Sequence, residues 1–309
     1  MIRSISRSQL INGILIGVLG SICFSTKAIF VKLAYRESSV DAITLLALRM
    51  LMSLPFFAAS AGYASSKVDN QRFSNRQWLS VALVGCLGYY ISSFLDFQGL
   101  RFISASIERL VLFIYPTIVL LISAFYLRQR ITRIQWLAVS ITYFGLMLAF
   151  YGEASFQHVD SKFMLGSMLI FGCAITYALY IVGSGQLIPS LGAAKFNSYA
   201  MTFAAVAVLI HYSFFSSGSL LGQPTAVYVY SALMAVVSTV IPSYLVTESI
   251  RRIGSGNTAI VASIGPVSTI VQAYFFLQEP IHTTQILGTL LIIGGVLLIG
   301  QRKKPVSTS

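Results

Sequence analysis

The chain is predicted to be an all-α membrane protein of ten transmembrane helices arranged as two inverted five-helix repeats. Three observations lead there. The 309 residues are 56% hydrophobic and only 10% charged, with a mean hydropathy of +0.79. A soluble domain carries roughly 25% charged residues, so this chain cannot cover itself with a wettable surface. The apolar residues fall into runs near the roughly 20 residues that a bilayer-spanning helix needs. Finally, the stretch from Leu95 to Leu148 recurs without a gap, 150 positions on, at Leu245 to Leu298. Arg101, Pro116, Gln135 and Gly145 meet Arg251, Pro266, Gln285 and Gly295 in one register. A self-match at fixed offset is the mark of internal duplication. The repeats are predicted over 1–152 and 153–309.

The predicted spans, in order, are 11–35, 40–64, 77–100, 104–127, 132–152, 162–184, 194–215, 225–250, 256–278 and 282–301. The first is too long for a signal-peptide core and is read as a retained helix. It carries Gly13, Gly17, Ser21 and Ser25 every fourth residue, a small-residue stripe for close helix packing. The third and fifth open on Trp78 and Trp136, read as interface anchors. Spans four and nine start at the small triplets Ser104-Ala105-Ser106 and Gly254-Ser255-Gly256. Both carry a mid-span proline, Pro116 and Pro266, which removes a backbone donor and can kink the helix. Interrupted helices in matching positions of two halves point to a transport site, and inherited structural kinks would look the same.

The net charge of +12 does not mark a nucleic-acid partner, because the basic residues lie in short breaks between apolar runs. With the N-terminus inside, Arg3, Arg7, Lys67, Arg72, Arg76, Arg128, Arg130, Arg133, Lys195, Arg251, Arg252, Arg302, Lys303 and Lys304 are cytoplasmic. Only Arg36, Arg101 and Lys162 fall outside, so both termini are expected in the cytoplasm. A five-helix unit is odd-numbered, so its second copy must start from the opposite side. Cys23, Cys86 and Cys173 lie in apolar runs and suggest neither a disulfide framework nor a metal site. No cofactor or metal is expected. No HExxH, Walker A loop or GxSxG is present, and Gly183-Ser184-Gly185 is too short a match to a serine nucleophile, so no enzyme is expected. His158 and His282 fall in predicted outer loops, and His211 lies late in span seven.

Several stretches resemble the EamA type of the drug/metabolite transporter superfamily. They are Phe24-Ser25-Thr26-Lys27-Ala28-Ile29-Phe30-Val31-Lys32, Leu46-Ala47-Leu48-Arg49, Ala105-Ser106 through Tyr115-Pro116-Thr117, Gly265-Pro266 and Leu277-Gln278-Glu279-Pro280. The chain departs from the family pattern at Phe24, where a tryptophan is usual, and at Lys27, where a small polar residue is common. In Tyr126 to Thr132 the family often has a Glu. The resemblance implies ten helices in a bacterial inner membrane. It implies a transporter that exports amino acids or other small metabolites, or exchanges nucleotide-linked ones, and the two five-helix halves are expected to work by alternating access around a central cavity, with export of amino acids the first expectation.

Charges within a bilayer are costly, roughly +2.5 to +3.5 kcal/mol each, and face a partner or a wet cavity. Lys27, Arg49, Asp96, Glu108 and Arg109 all lie in the outer half of the first repeat, and Glu108 and Arg109 align with Thr258 and Ala259. Lys27 is the first candidate for a substrate carboxylate. It could equally be a structural partner of Asp96 or Glu108. Arg49 and Arg109 join it as candidate substrate contacts, Arg49 also reading as a structural anchor. Glu108 could carry a proton through the cycle or pair with a nearby cation, and Asp96 is the other candidate for coupling or ion pairing. Lys32 reads as a snorkelling helix end. Glu248 is placed for a local pair with Arg251 and Arg252. Among aromatics, Phe24, Tyr89, Tyr90, Tyr115, Tyr177, Tyr180 and Tyr244 are candidate substrate contacts, because rings suit planar or apolar substrates. The expected partners are a small-molecule substrate and the lipid bilayer, and two matched halves suffice for one pathway in a monomer. The competing expectations are an importer or exchanger of an anionic metabolite, drawn by Lys27, Arg49 and Arg109, and a non-transporting membrane scaffold.

Overall fold

The computed structural model describes residues 7–66, 73–128, 131–154, 160–216, 218–281 and 283–300. Arg3, Lys67, Arg72, Arg130, His158, His282, Arg302, Lys303 and Lys304, singled out above, lie outside the described residues. Every regular element among the described residues is helical, and none is a strand. In chain order the helices are α1 (Arg7–Glu37), α2 (Ala42–Ser66), α3 (Asn75–Gly85), α4 (Ser92–Gly99), α5 (Ala105–Leu112), α6 (Tyr115–Phe125) and α7 (Arg133–Ala154). They continue with α8 (Ser161–Leu191), α9 (Ala193–Phe215), α10 (Thr225–Ala235), α11 (Ile241–Ile253), α12 (Ser255–Val261), α13 (Ile264–Gln272) and α14 (Thr283–Gly300). Among the described residues, eight stretches are long and apolar enough to cross a membrane: α1, α2, α3 with α4, α5 with α6, α8, α9, α10 with α11, and α12 with α13. The protein is therefore a multi-pass membrane protein. The other two predicted spans correspond to α7 and α14, which lie along each other.

The repeat seen in the sequence recurs in the element boundaries. Helices α3 and α10, α5 and α12, and α7 and α14 start 150 positions apart. So do two π-helical turns, Cys86–Ile91 and Val236–Val240, which join α3 to α4 and α10 to α11. The packing follows the same shift. Helix α1 lies on α11 and α13, α8 lies on α4 and α6, and α2 meets its counterpart α9.

Two features differ from the sequence reading. Helix α8 runs past the predicted end at 184, through Pro189, and stops at Gly192 with φ +79°. Its last turns are held by burial of Ile188 and Leu191, which outweighs the weak break that Pro189 introduces. Pro116 and Pro266, in contrast, do not sit mid-helix. The helical runs break at 113–114 and 262–263, and Pro116 and Pro266 fall in the first turn of the helices that follow, α6 and α13. A missing N–H is tolerated in a first turn. Carbonyls near the breaks are met from other helices: Tyr143 Oη donates to Ile114 O at 3.2 Å and Ser25 Oγ to Gly265 O at 3.0 Å.

The small-residue stripe of α1 is a packing seam. A Cβ on Gly17 would stand 2.7 Å from Ser249 Oγ and 3.1 Å from Val261 Cγ1, and Ser249 Oγ donates to Gly13 O at 3.0 Å. Gly17→Leu is expected to destabilise the fold by about 1–3 kcal/mol through overpacking. A lowered Tm of the purified protein checks this. An unchanged Tm would show that α1 and α11 are not in close apposition.

Candidate functional site

The described charged side chains that are buried are Lys27, Arg49, Asp96, Glu108 and Arg109, and all five belong to the first half. Helices α1, α2, α4 and α5 bring them together. Lys27 Nζ stands 2.8 Å from Asp96 Oδ2, with both side chains at most 3% exposed. Glu108 Oε2 lies 3.5 Å from Arg109 Nε. The Asp96 and Glu108 carboxyl groups are immediate neighbours. Arg49 Nη2 donates to Ser93 Oγ at 2.9 Å, and its guanidinium covers the Phe97 ring at 5.0 Å. Three cations thus face two carboxyl groups in a closed interior.

Phe24 joins this cluster to an aromatic one. Lys27 Nζ lies 4.8 Å and the Arg109 guanidinium 5.7 Å from the Phe24 ring centroid, near enough for cation–π attraction. Arg109 Nη2 also donates to Phe24 O at 3.3 Å. The Phe24 ring stacks on Tyr177 at 5.8 Å, and Tyr177 meets Tyr115 edge-on at 5.0 Å. Tyr177 leads on to Tyr180 at 5.8 Å, and Tyr180 to Tyr89 at 5.1 Å. This ladder explains why Gly88 is glycine: it lies flat on the Tyr180 ring, and a Cβ there would collide with it.

Between these groups is a cavity of about 30 Å³, the room of roughly one water. Phe24, Arg109 and Tyr115 line it from the first half; Tyr177, Thr258 and Pro266 line it from the second. Two larger recesses lie at opposite ends of the bundle. One, of about 560 Å³, is at the Glu37 end of α1 and is lined by Lys32, Arg36, Arg101 and Glu279. The other, of about 260 Å³, is lined by neutral polar groups including Ser123, Gln135, Gln186 and Asn257. Each end is closed by a bond between distant segments, Ser106 Oγ to Glu279 Oε2 at 2.6 Å and Gln135 Nε2 to Asn257 Oδ1 at 3.1 Å.

Of the residues proposed from sequence, Phe24, Arg109, Tyr115, Tyr177 and Pro266 line the cavity. Lys27, Asp96, Glu108, Arg49, Tyr89 and Tyr180 stand behind it. The structure does not bring Tyr90 or Tyr244 to it. The Tyr90 hydroxyl is 3.1 Å from His211 Nδ1, and that of Tyr244 is 2.9 Å from Ser198 Oγ. Lys32 turns its ammonium inward to Leu100 O at 3.1 Å instead of outward. Glu248 meets Arg251 and Arg252 as its spacing suggested. Sequence reasoning passed over Ser25, Ser106 and Glu279. Glu279 sat within a quoted family stretch, beside a helix end, where a charge is unremarkable.

The chain matches the EamA-like transporter family over residues 11–151 and 164–301, and it belongs to that family. It is 32% identical over 288 residues to the uncharacterized transporter YcbK of Bacillus subtilis (strain 168), covering 91% of this chain and 89% of that one. It is 25% identical to the uncharacterized transporter YyaM of the same organism, over 71% and 72% of the two chains. A protein of known crystal structure shares the fold, with a TM-score of 0.74 at 18% identity over 94% of this chain and 98% of its own.

Removing Lys27 strands Asp96 in a dry site, and breaking such a pair costs about 3–5 kcal/mol. Lys27→Met should therefore lower the Tm markedly, and Lys27→Met with Asp96→Asn should recover much of the loss. A double variant as unstable as the sum of its singles would show that the two groups do not act as a pair.

Proposed function

We propose that the protein is a secondary transporter that works by alternating access and exports small metabolites, amino acids first, across a bacterial inner membrane. The observation that carries this reading is the small cavity walled by both halves, with a larger recess at each end of the bundle and a hydrogen bond across the halves at each. A central site between two like halves is the form expected of a carrier. Ten crossings in two inverted five-helix halves, both termini cytoplasmic, accord with the repeated element boundaries and the exchanged packing partners. Rocking one half against the other would break the Ser106–Glu279 bond in one phase and the Gln135–Asn257 bond in the other. The lining suits an amphiphile: Arg109 can take a carboxylate, and Phe24, Tyr115 and Tyr177 offer ring faces. The cavity must widen to admit one.

A second reading has its own observation. Three buried cations against two carboxyl groups favour an anion in the site, so the carrier could import or exchange an anionic metabolite. In either cycle Asp96 and Glu108 are the candidates for coupling or ion pairing, as the buried carboxyl groups of the cluster.

A thermal-shift screen of the purified protein against amino acids, nucleotides and organic anions decides between the readings. A ligand of the folded state raises the apparent stability with its concentration once above Kd. Hits among neutral or aromatic amino acids support export, and hits confined to anions support the second reading. Counterflow in proteoliposomes separates the two directly, since an exchanger requires substrate on the far side. Arg109→Gln should lower flux by about 10-fold or more, the worth of one charged hydrogen bond. Lys27→Ala should abolish flux, and because that change alone costs stability, Lys27→Ala with Asp96→Asn is the variant whose loss of flux in folded, membrane-inserted protein counts. Unchanged flux in the Lys27 variant would remove that residue from the site, and a protein with neither ligand nor flux would be a scaffold.

A further inference from the structure

The recess at the Glu37 end is too basic to be a mere opening. Lys32, Arg36 and Arg101 line it against one carboxylate, Glu279. Among the described residues the other acidic groups of that face are engaged or turned away: Asp41 caps α2 through Thr44 N at 2.9 Å and Thr44 Oγ1 at 2.6 Å, Asp160 caps α8 through Phe163 N at 2.8 Å, and Glu37 is exposed and is not among the lining residues. Lys32 and Arg36 spend one donor each on helix-end carbonyls, Leu100 O at 3.1 Å and Leu277 O at 3.0 Å. An ammonium has three donors and a guanidinium five, so both keep donors for a ligand. Arg101 is exposed at the rim. Glu279 accepts from Ser106 Oγ at 2.6 Å and is a charge neighbour of Lys32. It hangs from the segment after α13 and lies on α5, one turn before Glu108 and Arg109. The described lining of the opposite recess carries amides and hydroxyls, with no charged side chain among the described residues.

We propose that this recess is a binding site for small carboxylates, and that the Glu279 carboxylate is its built-in occupant. A ligand carboxylate would take over the Ser106 hydroxyl and the Lys32 ammonium, with Arg36 and Arg101 holding its far end. Displacing Glu279 would free the segment after α13 from α5, so binding and unsealing of this end are one event. The site stands whether or not the protein transports what binds there.

The test uses the full chain in uncharged lipid nanodiscs, titrated with glutarate and, as a neutral control, glutaramide. Glu279→Gln removes the competing charge and should tighten glutarate at least about 3-fold, with glutaramide silent throughout. Adding Arg101→Gln to Glu279→Gln should weaken glutarate by about 3- to 10-fold, as should raising the salt, because the rim is solvent-accessible. Arg101 is exposed, so its replacement leaves folding intact, and the unliganded Tm verifies this. Glutarate that binds Glu279→Gln no better than the parent, that binds neither, or that is indifferent to Arg101→Gln overturns the proposal.

Discussion

A charge held within hydrocarbon must bring its counter-charge with it, and this constraint organises the first half of the protein. Lys27 of α1 and Asp96 of α4 meet at 2.8 Å, and neither can leave the other without being stranded. Glu108 and Arg109 add α5 to the same cluster, and Arg49 adds α2 through Ser93. Four helices are thereby fixed in register by a few polar atoms. Apolar packing alone would do this poorly, since lipid is as apolar as the helix faces. Helix α1 then hands the arrangement on: its Phe24 ring closes the cavity, its Ser25 holds the start of α13, and its glycines seat α11.

The two halves share a backbone plan and differ in chemistry. Their helices begin and break at matching positions and share one π-helical turn 150 positions apart, while the second half has a further one at Ala273–Leu277. Yet Asp96, Glu108 and Arg109 align with Val246, Thr258 and Ala259. Where the first half sets charges, the second sets a hydroxyl network: Thr258 donates to Gly254 O at 2.9 Å and lies 3.1 Å from Ser249 Oγ. These hydroxyls tie α11 to α12 and, through the bond from Ser249 Oγ to Gly13 O at 3.0 Å, to α1, so the second half is held by neutral hydrogen bonds where the first is held by charge.

The same asymmetry appears at the two ends. One recess is basic and shut by a carboxylate on a hydroxyl; the other is neutral and shut by amide on amide. Both closures are single hydrogen bonds, each worth about 0.5–1.5 kcal/mol net between neutral groups and about twice that with a charge. Seals of that size can open thermally, which a cycling carrier requires. Broken helices contribute as well, because a chain interrupted before Pro116 and Pro266 can bend there without losing interior hydrogen bonds.

Composition and hydropathy were enough to specify a multi-pass helical protein, the 150-residue self-match pointed to duplication, and the stretches at 24–32, 105–117 and 277–280 carried the resemblance to its family. Those properties follow from local rules: lipid demands continuous apolar helices, and duplication leaves identical residues in register. The buried charges were legible for the same reason, since a Lys, Asp or Glu inside an apolar run stands out wherever it points. Which of them pair was not, because Lys27 and Asp96 are distant in sequence and meet only when α1 and α4 pack. Aromatics were legible as a class but not as a site. Tyr177 lines the cavity and Tyr244 does not, although both lie well inside a span, because helix rotation decides which face looks inward. Neither the course of α8 through Pro189 nor the place of Glu279 on Ser106 has a local signature. Both are set by tertiary packing, where burial of a whole helix end, or one oxygen meeting one hydroxyl across the bundle, outweighs what neighbours in sequence prefer.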